Sequence, residues 1–337
     1  MMTPSIALLL PVVAAFISAA LIVVLQPLLA RYAMARPNAR SSHVVPTPQG
    51  GGIAVVAATI AVAVPALAMS SPPPADLSQI LILCGSAACL AVVGAIDDIR
   101  TIDAIPRLVM QFVAVGVVIG LLPDDIHIVP SLPLWLERIM LMVGGVWFVN
   151  LTNFMDGIDW MTVTETVTIV VGLLLLAFMG MLPLGPAVVA LALLGAILGF
   201  APFNRPVAKL FLGDVGSLPL GLIVFWLLVQ LADNGQIAAA VILPLYYLAD
   251  ATITLLVRIG RREPIMQAHR GHFYQQATAL GLSVPQVIAR IAILNGLLII
   301  LALLSVAIDG AAVDAAAIGV GCLAVALLLR RLAKGKN

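Results

Sequence analysis

The sequence predicts an all-α polytopic membrane protein of about eleven transmembrane helices, with ten as the alternative count. Three observations carry that prediction. The 337 residues are 62% hydrophobic and only 10% charged, whereas soluble domains carry roughly a quarter charged residues. Mean hydropathy is +1.16, which is more apolar surface than one water-soluble core of this length hides. The apolar residues also fall in runs long enough for a bilayer, which a helix crosses in about 20 residues.

In chain order the runs are about 5–30, 50–69, 78–96, 106–122, 134–152, 161–180, 183–201, 216–232, 236–258, 285–308 and 311–330. No Lys or Arg precedes the first, its apolar stretch exceeds that of a cleavable signal peptide, and Arg31 follows it. The N-terminus is therefore expected outside. The fifth run is the weakest of them, opening with Glu137 and Arg138, and the sixth and seventh are joined so tightly that the boundary between them is open; ten is therefore the alternative count. With eleven alternating spans, every one of the 17 Lys and Arg residues except Arg138 falls on one face or in the C-terminal tail. The positive-inside rule makes that face, and the C-terminus, cytoplasmic. The chain reads as a single integral-membrane domain over 1–337, with 259–284 as its longest connection, a cytoplasmic loop. A net charge of +1 gives no reason to expect a nucleic-acid partner. Cys84, Cys89 and Cys322 lie in apolar stretches and read as membrane-core residues.

The outside connections are short and plain, whereas the inside ones hold groups suited to phosphate or metal. The first inside loop reads Arg36-Pro-Asn-Ala-Arg-Ser-Ser-His43 and then Pro46-Thr-Pro-Gln-Gly-Gly-Gly52. Consecutive glycines before a helix leave backbone N–H groups accessible to an anion; a turn and helix start beside solvated basic residues is the plainer reading. Asp97-Asp98 closes an apolar span, where a carboxylate pair is costly unless paired or metal-bound and is opposed by the helix dipole. Asn150, Asn153, Asp156 and Asp159 recur every third residue and are expected to share one face of a tight helical or 3₁₀ turn. Amides and carboxylates there suit a nucleobase edge, a ribose or a hydrated cation. Lys209-Leu-Phe211-Leu-Gly213-Asp214-Val-Gly216-Ser217 reads as a station for Mg2+ and phosphate, or as a simple Gly-Asp turn. In the long loop, His269, Arg270 and His272 suit phosphate better than zinc, because no Cys or third His accompanies them.

These five patches, in this order, resemble the polyprenyl-phosphate N-acetylhexosamine-1-phosphate transferases, the family of the muramoyl-pentapeptide transferase of peptidoglycan synthesis. The resemblance runs from about Arg36 to Gln276. It rests on the Pro46-Thr47-Pro48 to Gly51 run, Asp97-Asp98, Asn150 to Asp159, Phe211 to Ser217, and His269 to His272. It implies transfer of a sugar-1-phosphate from a UDP-N-acetyl amino sugar to undecaprenyl or another polyprenyl phosphate, with release of UMP. This is the first membrane step of cell-surface polysaccharide synthesis. It further implies Mg2+, with Mn2+ as a substitute, a bacterial inner-membrane location, and room for a homodimer. By motif, Asp214 resembles the principal Mg2+ ligand, with Asp97 and Asp98 completing the acidic site. Phe211 resembles the uracil-stacking residue, with Lys209 beside it. Asn150, Asn153, Asp156 and Asp159 resemble nucleoside and metal-region contacts, with Thr47 nearby. His269, Arg270 and His272 resemble the loop that engages the diphosphate or sugar.

Two departures shape the expectation. Where many relatives continue Asp-Gly-x-Asp-Gly, this chain has Asp159-Trp160, which alters the sugar or lipid side of the pocket. The loop reads His269-Arg270-Gly271-His272, resembling the O-antigen and capsule initiating branch, some members of which take 6-deoxy amino sugars. A secondary transporter is the alternative, although transporters place their charges near the bilayer midplane. A CDP-alcohol phosphatidyltransferase does not fit, because Asp156-Gly157 is not followed by Ala-Arg.

Overall fold

The computed structural model describes residues 4–35, 46–70, 73–264 and 269–336. Arg36, Arg40 and His43 of the first inside loop, and 265–268 of the long one, lie outside the described residues. Within them the chain is helical apart from one antiparallel ribbon, β1 (Met34–Ala35) against β2 (Thr47–Pro48). The helices are α1 (Pro4–Tyr32), α2 (Gly52–Ala68), α3 (Leu77–Ile99), α4 (Ala104–Gly120), α5 (Leu134–Met155), α6 (Met161–Phe178) and α7 (Leu184–Phe200). After them come α8 (Asp214–Asp233), α9 (Ile237–Ile242), α10 (Leu245–Gly260), α11 (Phe273–Ala279), α12 (Val284–Ala307) and α13 (Ala311–Lys334).

Among the described residues seven helices are long and apolar enough to cross a membrane, and α2, α4 and α7 are shorter apolar helices. This is a polytopic membrane protein. Its outer surface carries the exposed apolar side chains that lipid covers, among them Phe16, Phe178, Ile293 and Leu323.

Helices stand at each of the eleven expected runs, but the ninth is broken. α9 ends and α10 begins around Leu243-Pro244, because proline supplies no N–H and its ring clashes with the preceding turn. The sixth and seventh runs stay separate, divided by Gly180 at φ +84° and by Pro183 ahead of α7. α5 accommodates its charged start by pairing it. Glu137 is buried and accepts the N–H groups of Ile128 (3.1 Å) and Val129 (2.7 Å). Arg138 donates to the carbonyls of Pro123 (2.6 Å) and Ile126 (3.0 Å).

The core is organised around α8, which is buried on nearly all sides and packs against α2, α3, α5, α6 and α9. α1 packs on α7 with its backbone close. A Cβ at Gly195 or Gly199 would collide with the backbone of Pro11 or Ala15, the small-residue spacing that lets membrane helices approach. Since α8 begins with Asp214, the most enclosed helix carries the candidate site at its N-terminus.

Candidate active site

The start of α8 is held by the end of α3. Asp98 accepts the N–H of Asp214 on Oδ1 (3.0 Å) and that of Val215 on Oδ2 (3.1 Å). These are N–H groups that a helix cannot satisfy internally, and a carboxylate there also complements the helix dipole. The placement of Asp98 at the unfavourable end of α3 is thereby explained: it serves the favourable end of α8. Gly213 makes the approach feasible. Its φ of +78° is costly for other residues, and a Cβ there would strike the Asp98 carboxylate.

Asp97 turns away from its neighbour. Its Oδ1 accepts the N–H of Ile102 (2.6 Å), and its Oδ2 accepts Arg107 Nη1 of α4 (2.7 Å). The same guanidinium nitrogen lies 3.4 Å from Asp214 Oδ2. From α5, Asn153 Nδ2 donates to Asp214 Oδ1 (2.7 Å) and to Ser217 Oγ (2.9 Å). Asp97, Arg107, Asp214, Asn153 and Ser217 thus form one connected network from four helices. Asp97 is 7% exposed and Asp214 26%, so Asp214 is the more open of the two acids.

The glycine run is used differently from the expectation. Gly50 and Gly51 donate to the Phe211 carbonyl (3.2 and 2.9 Å), and Gly52 donates to that of Leu212 (2.9 Å). Phe211 in turn donates to Pro48 O (2.9 Å). These amides are not open to an anion; they fasten the first loop to the 209–217 segment. Gln49 Nε2 donates to the Asp98 carbonyl (2.8 Å), tying the same loop to α3. Thr47 is buried in β2 opposite Ala35. Phe211 is half-buried beside Gln49, and Lys209 is exposed.

The expected common face of Asn150, Asn153, Asp156 and Asp159 does not form. α5 remains α-helical to Met155, where three residues turn through about 300°, and the chain then leaves the helix. Each side chain takes its own partner. Asn150 Nδ2 donates to buried Gln111 of α4 (2.6 Å), away from the carboxylates. Asp156 Oδ1 accepts Thr162 Oγ1 (2.6 Å), and Asp159 Oδ2 accepts the Ala208 N–H (3.0 Å). Burial pushes the Asp156 carboxyl up to about 7, aided by the charges of Asp98 and Asp159 and opposed by the Thr162 hydroxyl. Trp160 adopts φ +64°, a conformation that glycine would take without strain. It is anchored by N–H donation to Asn204 Oδ1 and from Nε1 to the Ala201 carbonyl, both 2.8 Å. Its ring borders a largely apolar groove of about 500 Å3 that also includes Leu198, Pro202 and Arg205.

The fifth segment joins through Phe154, one residue beyond Asn153. The His272 ring lies 6.4 Å from that of Phe154 and 5.0 Å from that of His269, and Tyr274 Oη donates to the Phe154 carbonyl (3.0 Å). His272 is buried, His269 half-buried and Arg270 exposed. Arg107 and Asp250, two charged residues central to this end of the bundle, are absent from the sequence-derived site. Arg107 reads there as an ordinary positive-inside residue, and Asp250 signals itself only as a carboxylate in an apolar run.

No three His, Cys, Asp or Glu side chains among the described residues form a ready-made metal cage. Mg2+ does not require one, since it binds through one or two carboxylates and completes its shell with water and substrate phosphates. Asp97 and Asp214, converging on one cation, are a donor pair of that kind. Both Asp98 oxygens are already engaged with backbone N–H groups.

The fold and site define a polytopic membrane protein with a carboxylate, amide and arginine centre at one end of its bundle. The family model for glycosyl transferase family 4 matches residues 80–232. A decaprenyl-phosphate N-acetylglucosaminephosphotransferase of Mycobacterium tuberculosis is 32% identical over 212 residues, 57% of this chain and 52% of the relative. A probable undecaprenyl-phosphate N-acetylglucosaminyl 1-phosphate transferase of Bacillus subtilis is 26% identical over 289 residues, 81% of this chain and 78% of the relative. A phospho-N-acetylmuramoyl-pentapeptide-transferase of Thermobifida fusca is 28% identical over 302 residues, 76% of this chain and 84% of the relative. The chain spans about half the length of the mycobacterial relatives it matches. Over residues 80–232 the chain is thus similar to glycosyl transferase family 4, and the relatives it matches are named as polyprenyl-phosphate N-acetylglucosamine and N-acetylmuramoyl-pentapeptide phosphotransferases.

Proposed function

We propose that this protein transfers an N-acetylhexosamine-1-phosphate from its UDP-linked donor to a polyprenyl phosphate, releasing UMP. The observation that supports it is the network in which Asp97, Arg107, Asp214 and Asn153 meet at the end of an apolar bundle. Such a centre suits a polyanionic head group whose lipid tail stays in the bilayer. In this reading an oxygen of the lipid phosphate bonds to the phosphorus that bears the sugar, and the bond from that phosphorus to the bridging oxygen breaks. UMP leaves with that oxygen. A phosphate monoester has a second pKa near 6, so the acceptor is already largely dianionic and needs no strong base. The protein's task is then charge neutralisation and in-line alignment.

Asp97 and Asp214 would hold Mg2+, which would supply positive charge to offset that of the diphosphate and of the departing UMP. Asp98 keeps Asp214 in place through its backbone, Asn153 orients the Asp214 carboxylate, and Arg107 balances the two acids. Phe211 takes the uracil, and the His269–His272 segment takes the diphosphate or sugar. The chain crosses the bacterial inner membrane eleven times with its N-terminus outside, which places the site in the cytoplasm. We take the donor to be a UDP-N-acetyl amino sugar, 6-deoxy forms included, and the product to initiate an O-antigen or related cell-surface glycan.

The test is a panel of UDP-N-acetylhexosamines with undecaprenyl phosphate and Mg2+, scored for UMP and lipid-linked product, with Asp214→Asn as control. Product from at least one donor, lost in the variant, is expected. No product from any donor would overturn the assignment.

A further inference from the structure

The carboxylate of Asp250 is fully buried in α10, yet it plays no part in the network around Asp214. Five donors converge on it. Oδ1 receives the Phe273 N–H (3.1 Å), Thr254 Oγ1 (3.3 Å) and His272 Nδ1 (3.3 Å). Oδ2 receives Tyr246 Oη (3.1 Å) and the Tyr274 N–H (3.3 Å). Two of the donors are the first N–H groups of α11, so the same side chain starts that helix and meets the histidine that precedes it.

We infer that Asp250 is a positioning residue for His272: it fixes the proton on Nδ1 and leaves Nε2 as the nitrogen presented to substrate. A carboxylate only accepts hydrogen bonds, so the ring nitrogen facing it carries the hydrogen. In neutral His272 the lone pair then belongs to Nε2. The ring has little freedom to exchange its two edges, being stacked between His269 at 5.0 Å and Tyr274 at 5.8 Å, with Phe154 at 6.4 Å. Second partners of this kind commonly set the tautomer and orientation of a working imidazole. The inference rests on the proposed function only for what Nε2 meets; the tautomer follows from Asp250 alone.

That division shapes the experiment. The chain has four histidines, so nitrogen-15 labelling of histidine in the intact protein in lipid nanodiscs gives a short spectrum, and His272→Gln assigns the relevant pair of signals. The wild-type protein is expected to show His272 with Nδ1 protonated, and Asp250→Asn to shift that signal pair alone. A wild-type His272 with bare Nδ1 overturns the inference without recourse to any Asp250 variant.

Kinetics with UDP-N-acetylglucosamine and undecaprenyl phosphate supply the second arm. Removing a group that assists transfer costs about a hundredfold or more, so His272→Gln is expected to lose about that factor in kcat. Asp250→Asn is expected to lose kcat with KM for the donor little changed, and the double variant to lose no more than His272→Gln. Losses that multiply in the double variant would show that Asp250 acts independently of His272, and would overturn the inference. Absence of transfer by the wild-type protein with every donor would sink the proposed function instead, and the spectrum would still decide the role of Asp250.

Discussion

Asp98 Oδ1 receives the backbone N–H of Asp214 at 3.0 Å, so one acid of the site is held in place by another through the main chain. Asp98 therefore anchors the start of α8, whereas Asp97 takes the Ile102 N–H and Arg107 instead. Asp98→Ala leaves the N–H groups of Asp214 and Val215 without their acceptor. Loss of a helix N-cap costs about 1 kcal/mol. The variant is expected to melt at a lower temperature in detergent than Asp97→Ala, and to bind a UDP-sugar weakly because Asp214 is displaced. Equal melting temperatures for Asp98→Ala and the unchanged protein would refute this division of labour.

Arg107 stands between Asp97 and Asp214, at 2.7 and 3.4 Å. Replacing it with methionine leaves two neighbouring carboxylates without their shared cation. Added Mg2+ is then expected to raise the melting temperature more in Arg107→Met than in the unchanged protein. Saturation a hundredfold above Kd corresponds to about 2.7 kcal/mol. A smaller Mg2+ effect in the variant would indicate that Arg107 helps retain the metal, contrary to the proposal.

The helices are easy to read from the sequence because lipid rewards continuous apolar runs, and among the described residues the break at Pro244 is where an apolar run conceals a turn. Asp97, Asp98, Asn153 and Asp214 are legible for the complementary reason: polar groups beside lipid are expensive and stand out. Partnership is not legible in the same way. Gly50 to Gly52 have the local pattern of an anion cradle, but their N–H groups are taken by carbonyls some 160 residues further on. Asn150 and Asn153 look equivalent by spacing, yet only one faces Asp214, because the helix carries the other round to Gln111. Trp160 reads as a lost glycine, and the structure shows what that glycine position demands, a left-handed backbone held by Asn204 and Ala201.

Asn153 is expected to tolerate neither truncation nor charge. Its amide donates to the Asp214 carboxylate at 2.7 Å, and hydrogen bonds to charged groups contribute about 1.5–3 kcal/mol. Asn153→Ala is therefore expected to reduce kcat/KM about tenfold to a hundredfold. Asn153→Asp, which sets a carboxylate against a carboxylate, is expected to be worse. Steady-state assays of UMP release decide the order; an Asn153→Asp variant as active as the unchanged protein would contradict the geometry.

Asp156 gives a pH dependence with a definite sign. Its carboxyl is raised from the usual carboxylate range to about 7 in the folded chain. Between those values the folded state binds a proton that the unfolded state does not, so stability falls as pH rises through this window. The melting temperature is expected to decline from pH 5 to pH 8, and Asp156→Asn to flatten that decline. A variant with the same slope as the unchanged protein would assign the effect to another group.

Glu165 and Asn295 pair α6 with α12 inside the bundle, each only 1% exposed. Asn295 Nδ2 donates to Glu165 Oε2 at 2.6 Å and to Thr168 Oγ1 at 3.0 Å. Among the described residues Glu165 Oε1 and Asn295 Oδ1 have no hydrogen-bond partner, so two acceptors on one pair lack a donor. Glutamine at position 165 keeps the acceptor that Asn295 uses and supplies an N–H for its carbonyl. Glu165→Gln is accordingly expected to melt at or above the temperature of the unchanged protein. Asn295→Ala removes the side-chain amide that donates to Glu165 Oε2 and leaves a buried carboxyl poorly matched, at a cost of about 1–3 kcal/mol. Melting curves in detergent measure both. A Glu165→Gln variant that falls as far as Asn295→Ala would mean that the carboxyl itself, and not its missing donor, stabilises the contact between the two helices.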